Sequence, residues 1–233
     1  MHYKLRAPMA LLPITVNGHD RIRVTPQWRG YRTYEPEVWS RFLDEVREGD
    51  VVIDVGANVG FYAVAAAQRG GRVVAFEPDP TAVRALRRHI RLNRVRAHID
   101  VVPALVGADD GAGVLAQRER SFVSSAATLY LSAETSYRVV PRVSLDSALA
   151  EHAAVAVLKI DVEGYELAVL RGARKLLAEK RPRLIMVEVH PWELSTVGAS
   201  LEEVAHELAE AGYQVEKVRS ESDAHEHWLA RPS

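Results

Sequence analysis

The stretch Val51-Val52-Ile53-Asp54-Val55-Gly56-Ala57-Asn58-Val59-Gly60 sets a carboxylate near the end of an apolar run and two glycines, four apart, just behind it. A buried strand that ends there, turns on Gly56 and enters a helix at Gly60 offers the free N–H groups of a helix start to a ligand, as nucleotide-type turns do. The next apolar run, Arg72 to Phe76, leads into Glu77, 21 residues beyond Gly56. That is where α/β nucleotide folds place an acid to accept hydrogen bonds from ribose hydroxyls; an acid there repels a 2′-phosphate and argues against NADP. Asn58 stands where a dinucleotide turn needs a second glycine, and Asp54 is an acid that pyrophosphate does not call for. A cofactor without phosphate but with an ammonium gains from such carboxylate and amide acceptors, which points to S-adenosylmethionine. Asp79, two residues on, offers a helix cap as the alternative use of an acid in this segment.

A second concentration of ionisable groups is Leu158-Lys159-Ile160-Asp161-Val162-Glu163-Gly164-Tyr165-Glu166, at the carboxyl end of a strand, where open α/β sheets bind ligands. Lys159 and Asp161 alternate to one face, and a buried Lys159 requires an acid partner. Glu163 and Glu166 fall at the strand-to-helix junction, where acids also favour the helix dipole. Val187-Glu188-Val189-His190 ends the following strand and brings Glu188 and His190 beside Asp161 if the two strands are neighbours. His190 is the candidate general base, since a neutral imidazole or a carboxylate can take the proton of an attacking group. Asp161, Glu163 and Lys159 complete the catalytic candidates. Asp161, Glu163, Glu188 and His190 could also hold Mg or Mn, although their spacing does not demand a metal. His225, Glu226 and His227 fit a strand with Trp228 and Leu229 and read as surface residues.

The elements needed to position these groups alternate along the chain. Pro36 opens a helix over Glu37 to Arg47 that Gly49 stops, and Val51–Val55, Val59–Gln68, Arg72–Phe76 and Pro80–Asn93 read as strand, helix, strand, helix. Ile99–Val102 with Ala104–Val106 is a third strand or strand pair. Val155–Ile160, Arg183–Val189 and Tyr213–Val218 are three more strands, separated by helices around Glu166–Glu179 and Leu201–Ala211. Continuous Val/Ile/Leu runs between helices imply a mostly parallel sheet with helices on both faces. Gly107 to Ser147 breaks the rhythm with β-prone pieces at Gly113–Gln117 and Arg138–Val143, so extra strands or a loop over the sheet edge are expected there, with substrate contacts. Residues 1–35 read as an N-terminal β-hairpin extension or cap, with Leu12–Val16 and Arg21–Thr25 joined around Asn17-Gly18, and residues 36–233 as the Rossmann-like domain. Trp28, Tyr31 and Tyr34 are candidates for a substrate-pocket wall or for core.

Composition limits the function. A hydrophobic fraction of 48% with 26% charged residues is that of an ordinary globular chain, and 30 Lys plus Arg against 31 Asp plus Glu supply no general basic field for nucleic acid. The absence of cysteine excludes disulfides, a thiolate nucleophile and a Cys-ligated metal. No run approaches the roughly 20 apolar residues of a membrane span, and Pro8 and Pro13 interrupt the apolar start, so a cytoplasmic location is expected.

Four segments in order, Asp54-Val-Gly-Ala-Asn-Val-Gly60, Phe76-Glu-Pro-Asp79, Val143-Ser-Leu-Asp146 and Leu158-Lys-Ile-Asp-Val-Glu-Gly-Tyr-Glu166, resemble the successive motifs of the FkbM-type methyltransferases, over roughly Tyr34 to Trp192. The resemblance implies a Rossmann-like class I methyltransferase fold with a seven-stranded sheet whose last strand is antiparallel. It implies S-adenosylmethionine-dependent O-methylation of a small molecule or sugar, as in natural-product or glycan-precursor biosynthesis. By motif, Asp54, Gly56, Ala57, Asn58 and Gly60 would line the methionine portion, Glu77 would hold the ribose, Pro78 and Asp79 would flank the adenine, and Ala104 and Leu105 fall where the family contacts adenine. Asp161 belongs to the same set. Tyr34-Glu35-Pro36 resembles the family's entry segment, and reads here as an exposed helix cap. An NAD-dependent oxidoreductase or epimerase, and a non-catalytic cofactor-binding subunit, are the alternatives. The expected partner is the acceptor alone, with no nucleic acid and no membrane span; a homo-oligomer is compatible with the chain.

Overall fold

The structure, a computed structural model, describes residues 13–16, 20–25, 35–118, 135–152, 154–179, 182–218 and 225–233. The Asn17-Gly18 turn, Trp28, Tyr31 and Tyr34 lie outside the described residues. The strands are β1 (Pro13–Val16), β2 (Asp20–Arg23), β3 (Val51–Val55), β4 (Arg72–Phe76), β5 (Ile99–Val102), β6 (Leu105–Val106), β7 (Gly111–Arg118), β8 (Thr135–Val143), β9 (Val157–Asp161), β10 (Leu184–Val189), β11 (Tyr213–Val218) and β12 (Glu226–Pro232). The helices are α1 (Pro36–Glu45), α2 (Phe61–Gln68), α3 (Pro80–Asn93), α4 (Leu145–Ala148), α5 (Glu166–Arg171), α6 (Arg174–Ala178), α7 (Pro191–Thr196) and α8 (Leu201–Glu210).

Seven strands form one sheet in the order β11-β12-β10-β9-β3-β4-β5. β5, β4, β3, β9 and β10 pair in parallel, while β12 runs antiparallel to both β10 and β11. This is the α/β Rossmann-like sheet that the apolar runs imply, with the reversed strand inserted second from one edge. Side chains alternate between two cores. Val52, Val157, Met186 and Leu229 face α1, α2 and α3 together with Ile14, Ile22 and Val24 of the N-terminal hairpin. Ile53, Leu158, Val187 and Trp228 face α4, α5, α6 and α8. Strands buried on both faces have no solvent side on which to carry polar residues, hence their unbroken hydrophobicity.

Ile99 to Val106 divides at Pro103: β5 stays in the main sheet, and β6 leaves it to join a three-stranded sheet, β6-β8-β7. That small sheet is the excursion expected between Gly107 and Ser147. The long helix expected over Glu166–Glu179 is two short ones, broken at Gly172, where a β-carbon would meet the carbonyl oxygen of Gly107 at 2.0 Å. Asp146 ties the break down by accepting N–H bonds from Lys175 and Leu176 in the first turn of α6, at 3.0 and 2.9 Å. No helix among the described residues is long and apolar enough to cross a membrane.

Candidate functional site

The carboxyl ends of β3, β4, β9 and β10 open into a cavity of about 310 Å³, at the small end of the usual size for ligand sites. One end is apolar, walled by Pro78, Ala82, Ala104, Leu105, Val106 and Leu115. The other is ionic, with Glu35, Lys159, Asp161, Glu163, Glu188 and His190, and with Tyr62 and Tyr165 beside them. Gly56, Ala57, Asn58 and Glu77, which follow strands β3 and β4, line it as well, with the Asn58 N–H bonded to Glu77.

The turn after β3 has little freedom. Gly56 has φ 77°, and a β-carbon on it would sit 1.7 Å from the carbonyl oxygen of Asp161. Its N–H and that of Ala57 both donate to the carbonyl of Phe76 at 3.0 Å, which fastens the turn to the end of β4. Gly60, at φ 89°, is the N-cap of α2 and packs on Leu86, whose Cδ1 a β-carbon would meet at 2.2 Å. Four described non-glycine residues have positive φ, and Glu35, Asn58 and Glu163 among them line the cavity. Backbone strain is thus concentrated at the site.

Glu77 is buried and accepts two backbone N–H bonds, from Asn58 on Oε2 and from Asp79 on Oε1, both at 2.8 Å. Burial outweighs these donors and pushes its pKa up to about 7. Asp79 caps α3 through its bond from the Thr81 N–H, so both acids of the segment are used. Asp54 and Gly60 do not reach the cavity surface. Asp54 lies below the floor, 1% exposed, and neither of its oxygens has a hydrogen-bond partner among the described residues. Burial raises its pKa, and Lys159, with Nζ at 3.9 Å, opposes the rise.

Lys159 has the acid partner its burial requires: Nζ donates to Asp161 Oδ2 at 3.0 Å. Burial opposes its charge, but Asp161 and Asp54 outweigh that and raise its pKa. Asp161 itself is lifted by burial to about 6 against the pull of Lys159, and Glu163 is lifted by burial and by the Asp161 charge to about 8.

β9 and β10 are neighbours, and their register sets Glu188 beside Asp161. On its other side Glu188 faces His227 of β12. Because β12 is reversed, its first residues arrive at the ligand end of the sheet, and this corrects the reading of His225 to His227 as surface residues. His227 is 4% exposed and His225 is half-buried. Glu35 is also no exposed cap: it has left-handed backbone, accepts a bond from the Tyr62 hydroxyl at 2.8 Å and faces His227 Nε2 at 3.5 Å. Burial lowers the His227 pKa, but the carboxylates of Glu188 and Glu35 bring it to about 9.

His190 Nδ1 donates to Glu166 Oε1 at 2.8 Å, and its Nε2 faces Glu188 Oε1 at 3.5 Å. Glu166 is fully buried and accepts the Gly164 N–H as well, so it orients the imidazole rather than only easing the dipole of α5. Against burial, Glu166 and Glu188 lift the His190 pKa to about 11. Of the four residues named for Mg or Mn, Glu188 and His190 converge, while Asp161 is tied to Lys159.

A Rossmann-like sheet with this strand order and a ligand cavity at its carboxyl edge defines a class I methyltransferase fold. Residues 54–215 match the family described as methyltransferase FkbM domain. The chain is 31% identical over 192 residues to hexuronic acid methyltransferase AglP of Haloferax volcanii, covering 81% of this chain and 74% of that one. It is 30% identical over 208 residues to 31-O-demethyl-FK506 methyltransferase FkbM of Streptomyces tacrolimicus, covering 73% and 75%. A solved precorrin-6y C5,15-methyltransferase from Geobacter metallireducens superposes with a TM-score of 0.52 at 15% identity, over 85% of this chain and 89% of that one, a likeness of fold alone. The chain belongs to the FkbM methyltransferase family, and it is a methyltransferase rather than an NAD-dependent oxidoreductase.

Proposed function

We propose that the protein transfers a methyl group from S-adenosylmethionine to a hydroxyl of a small molecule or sugar. The observation that carries this reading is the lining of the cavity: apolar residues beside β5 and β6, Glu77 after β4, and ionisable groups at the ends of β9 and β10 among which acids outnumber cations. The residues fit the cofactor. Glu77 keeps a lone pair on each oxygen after its two backbone bonds, which suits the two donors of a ribose diol. Asp54, whose oxygens lack a hydrogen-bond partner among the described residues, is a buried acid beside Lys159 whose ionised form a cationic ligand would favour. Pro78, Ala104 and Leu105 offer the adenine an apolar wall, and the Gly56-Ala57-Asn58 turn, whose N–H groups are taken up by Phe76 and Glu77, lines the cavity where the methionine portion would lie.

When bound, S-adenosylmethionine supplies a methyl group on a sulfonium whose leaving group departs neutral, so no acid is needed to activate it. The chain's own work is then to align the acceptor, exclude water and remove the hydroxyl proton. We assign the proton to the Glu163 carboxylate, which lines the cavity just beyond the end of β9. His190, held between Glu166 and Glu188, is a positioning residue in this scheme rather than the base. Lys159 fixes Asp161 at the cavity wall. Support for an oxygen acceptor comes from the two relatives, one named for hexuronic acid and one for a 31-O position.

Calorimetry with S-adenosylhomocysteine tests the cofactor half: binding should weaken at least about tenfold in Glu77→Ala, a loss of about 1.4 kcal/mol. Equal affinity in the variant would overturn the assignment. Incubation of the enzyme with methyl-labelled cofactor and a panel of sugars, uronic acids and hydroxylated small molecules tests the acceptor half by mass spectrometry. Label found on nitrogen, or on no member of a broad panel, would overturn it.

A further inference from the structure

We propose that Glu188, His190 and His225 form a binding site for one divalent transition-metal ion at the ionic end of the cavity, backed by Glu35 and His227. The three ligand atoms, Glu188 Oε1, His190 Nε2 and His225 Nε2, lie within 4.8 Å of one another. Both imidazole nitrogens stand 3.5 Å from the same carboxylate oxygen. That is too long for charge-assisted hydrogen bonds of about 2.7–2.9 Å. It matches the separation of about 3.4 Å between tetrahedrally disposed donors that each sit about 2.1 Å from a common ion.

The surroundings are those of a metal-binding histidine. His190 gives its Nδ1–H to the fully buried Glu166, which fixes the tautomer and leaves Nε2 directed at the site, the carboxylate–histidine arrangement that supports metal ligands. The second oxygen of Glu188 is 3.6 Å from Nε2 of His227, a buried ring neither of whose nitrogens makes a hydrogen bond among the described residues. Glu35 Oε2 stands 3.5 Å from the same Nε2. Two imidazoles and a carboxylate favour Zn²⁺, Mn²⁺, Fe²⁺ or Co²⁺ over Mg²⁺ or Ca²⁺, which prefer all-oxygen sets.

Glu188 and His190 line the same cavity as Glu163, so the site deepens the methyl-transfer reading and rests on it for its chemical use. An ion there holds the acceptor oxygen and lowers the pKa of its hydroxyl. The proton passes to Glu163, the new O–CH3 bond forms as the S–CH3 bond breaks, and the sulfur leaves as a neutral thioether.

The test uses the untagged full chain, stripped with a chelator and titrated with Co²⁺ and then Zn²⁺ in the absence of cofactor, read by calorimetry and by visible absorption. One equivalent of Co²⁺ should bind with a Kd of about 1 μM or tighter and develop visible bands that Zn²⁺ abolishes. His225→Ala should weaken binding by on the order of 100-fold, and Glu166→Gln by about tenfold through the orientation of His190. His225 is the most exposed of the three ligands, and an unchanged circular-dichroism melt confirms that its variant folds. Equal uptake by the native chain and His225→Ala would overturn the site, as would the absence of any saturable uptake. S-adenosylhomocysteine affinity, measured separately on the stripped protein, tells the two readings apart. Cofactor binding without metal uptake defeats the metal site alone, and metal uptake without cofactor binding defeats the methyl-transfer reading.

Discussion

At the scale of single residues, burial has made ionisation costly for Glu77, Asp161 and Glu163, while against the same burial the imidazoles of His190 and His227 hold Glu188 ionised. Glu77 is the clearest, with a pKa of about 7 in the free protein. A ribose diol donates to the ionised form, so the cofactor binds the deprotonated carboxylate better and brings its pKa back down from that raised value. Affinity for S-adenosylhomocysteine should therefore fall as pH drops through about 7 and level off above it. Calorimetry between pH 5.5 and 8.5 checks this; a flat profile in the native chain would remove the ribose assignment. Glu163, lifted to about 8, carries the matching kinetic expectation. Turnover should rise with pH through an acidic limb, and Glu163→Gln should lower kcat by on the order of 100-fold or more with little loss of cofactor affinity. A Glu163→Gln enzyme that retains both its rate and its acidic limb would return the proton to another group.

At the scale of elements, the glycines and caps explain why the motifs read as they do. Gly56→Ala would force β9 away from β3 by placing a β-carbon on the Asp161 carbonyl in a left-handed backbone, at a cost of about 3 kcal/mol or more. Asp146→Ala removes the acceptor for two N–H groups of α6 and should cost about 1–2 kcal/mol without touching the cavity. Urea melts of the two variants would expose an error in either account if they ranked the other way. The segment that ends in Asp146 is therefore a structural tie, which a reading of residue types cannot distinguish from chemistry. The strands β3, β4, β9 and β10 were legible because both faces are buried and their hydrophobicity is continuous. The roles of Glu35 and His227 were not. Their burial depends on the reversal of β12 onto β10 and on the meeting of Glu35 with His227 across more than half the chain, and local pattern holds no trace of either. The division at Pro103 and the break at Gly172 escaped for the same reason, since each is decided by a neighbouring segment rather than by local propensity.

At the scale of the whole molecule, a row of ionisable side chains crosses the middle of the sheet on the face shared with α1 and α2. Asp54 pairs in register with Lys159, and Glu188 lies between Asp161 and His227. Groups of this kind are weak contributors to stability, because desolvation offsets most of their mutual attraction. The free protein therefore holds part of its ligand-binding free energy as instability, and a ligand that completes the row stabilises the fold by linkage. At about 100 times its Kd, S-adenosylhomocysteine should add about 2.7 kcal/mol, a rise of roughly 5–10 °C in Tm for a chain of this size. Asp54→Asn separates the two effects. It removes a buried acid whose one ion-pair contact among the described residues is at 3.9 Å, and it keeps an oxygen toward the Ala63 N–H, so the free variant should melt no lower than the native chain. Its cofactor-induced rise should shrink, because the negative potential beneath the cavity is gone while the cavity's shape remains. Thermal melts with and without ligand measure both quantities in one experiment. A free variant that melts several degrees lower would mean that Asp54 is held for the fold, through Lys159, and not for the ligand.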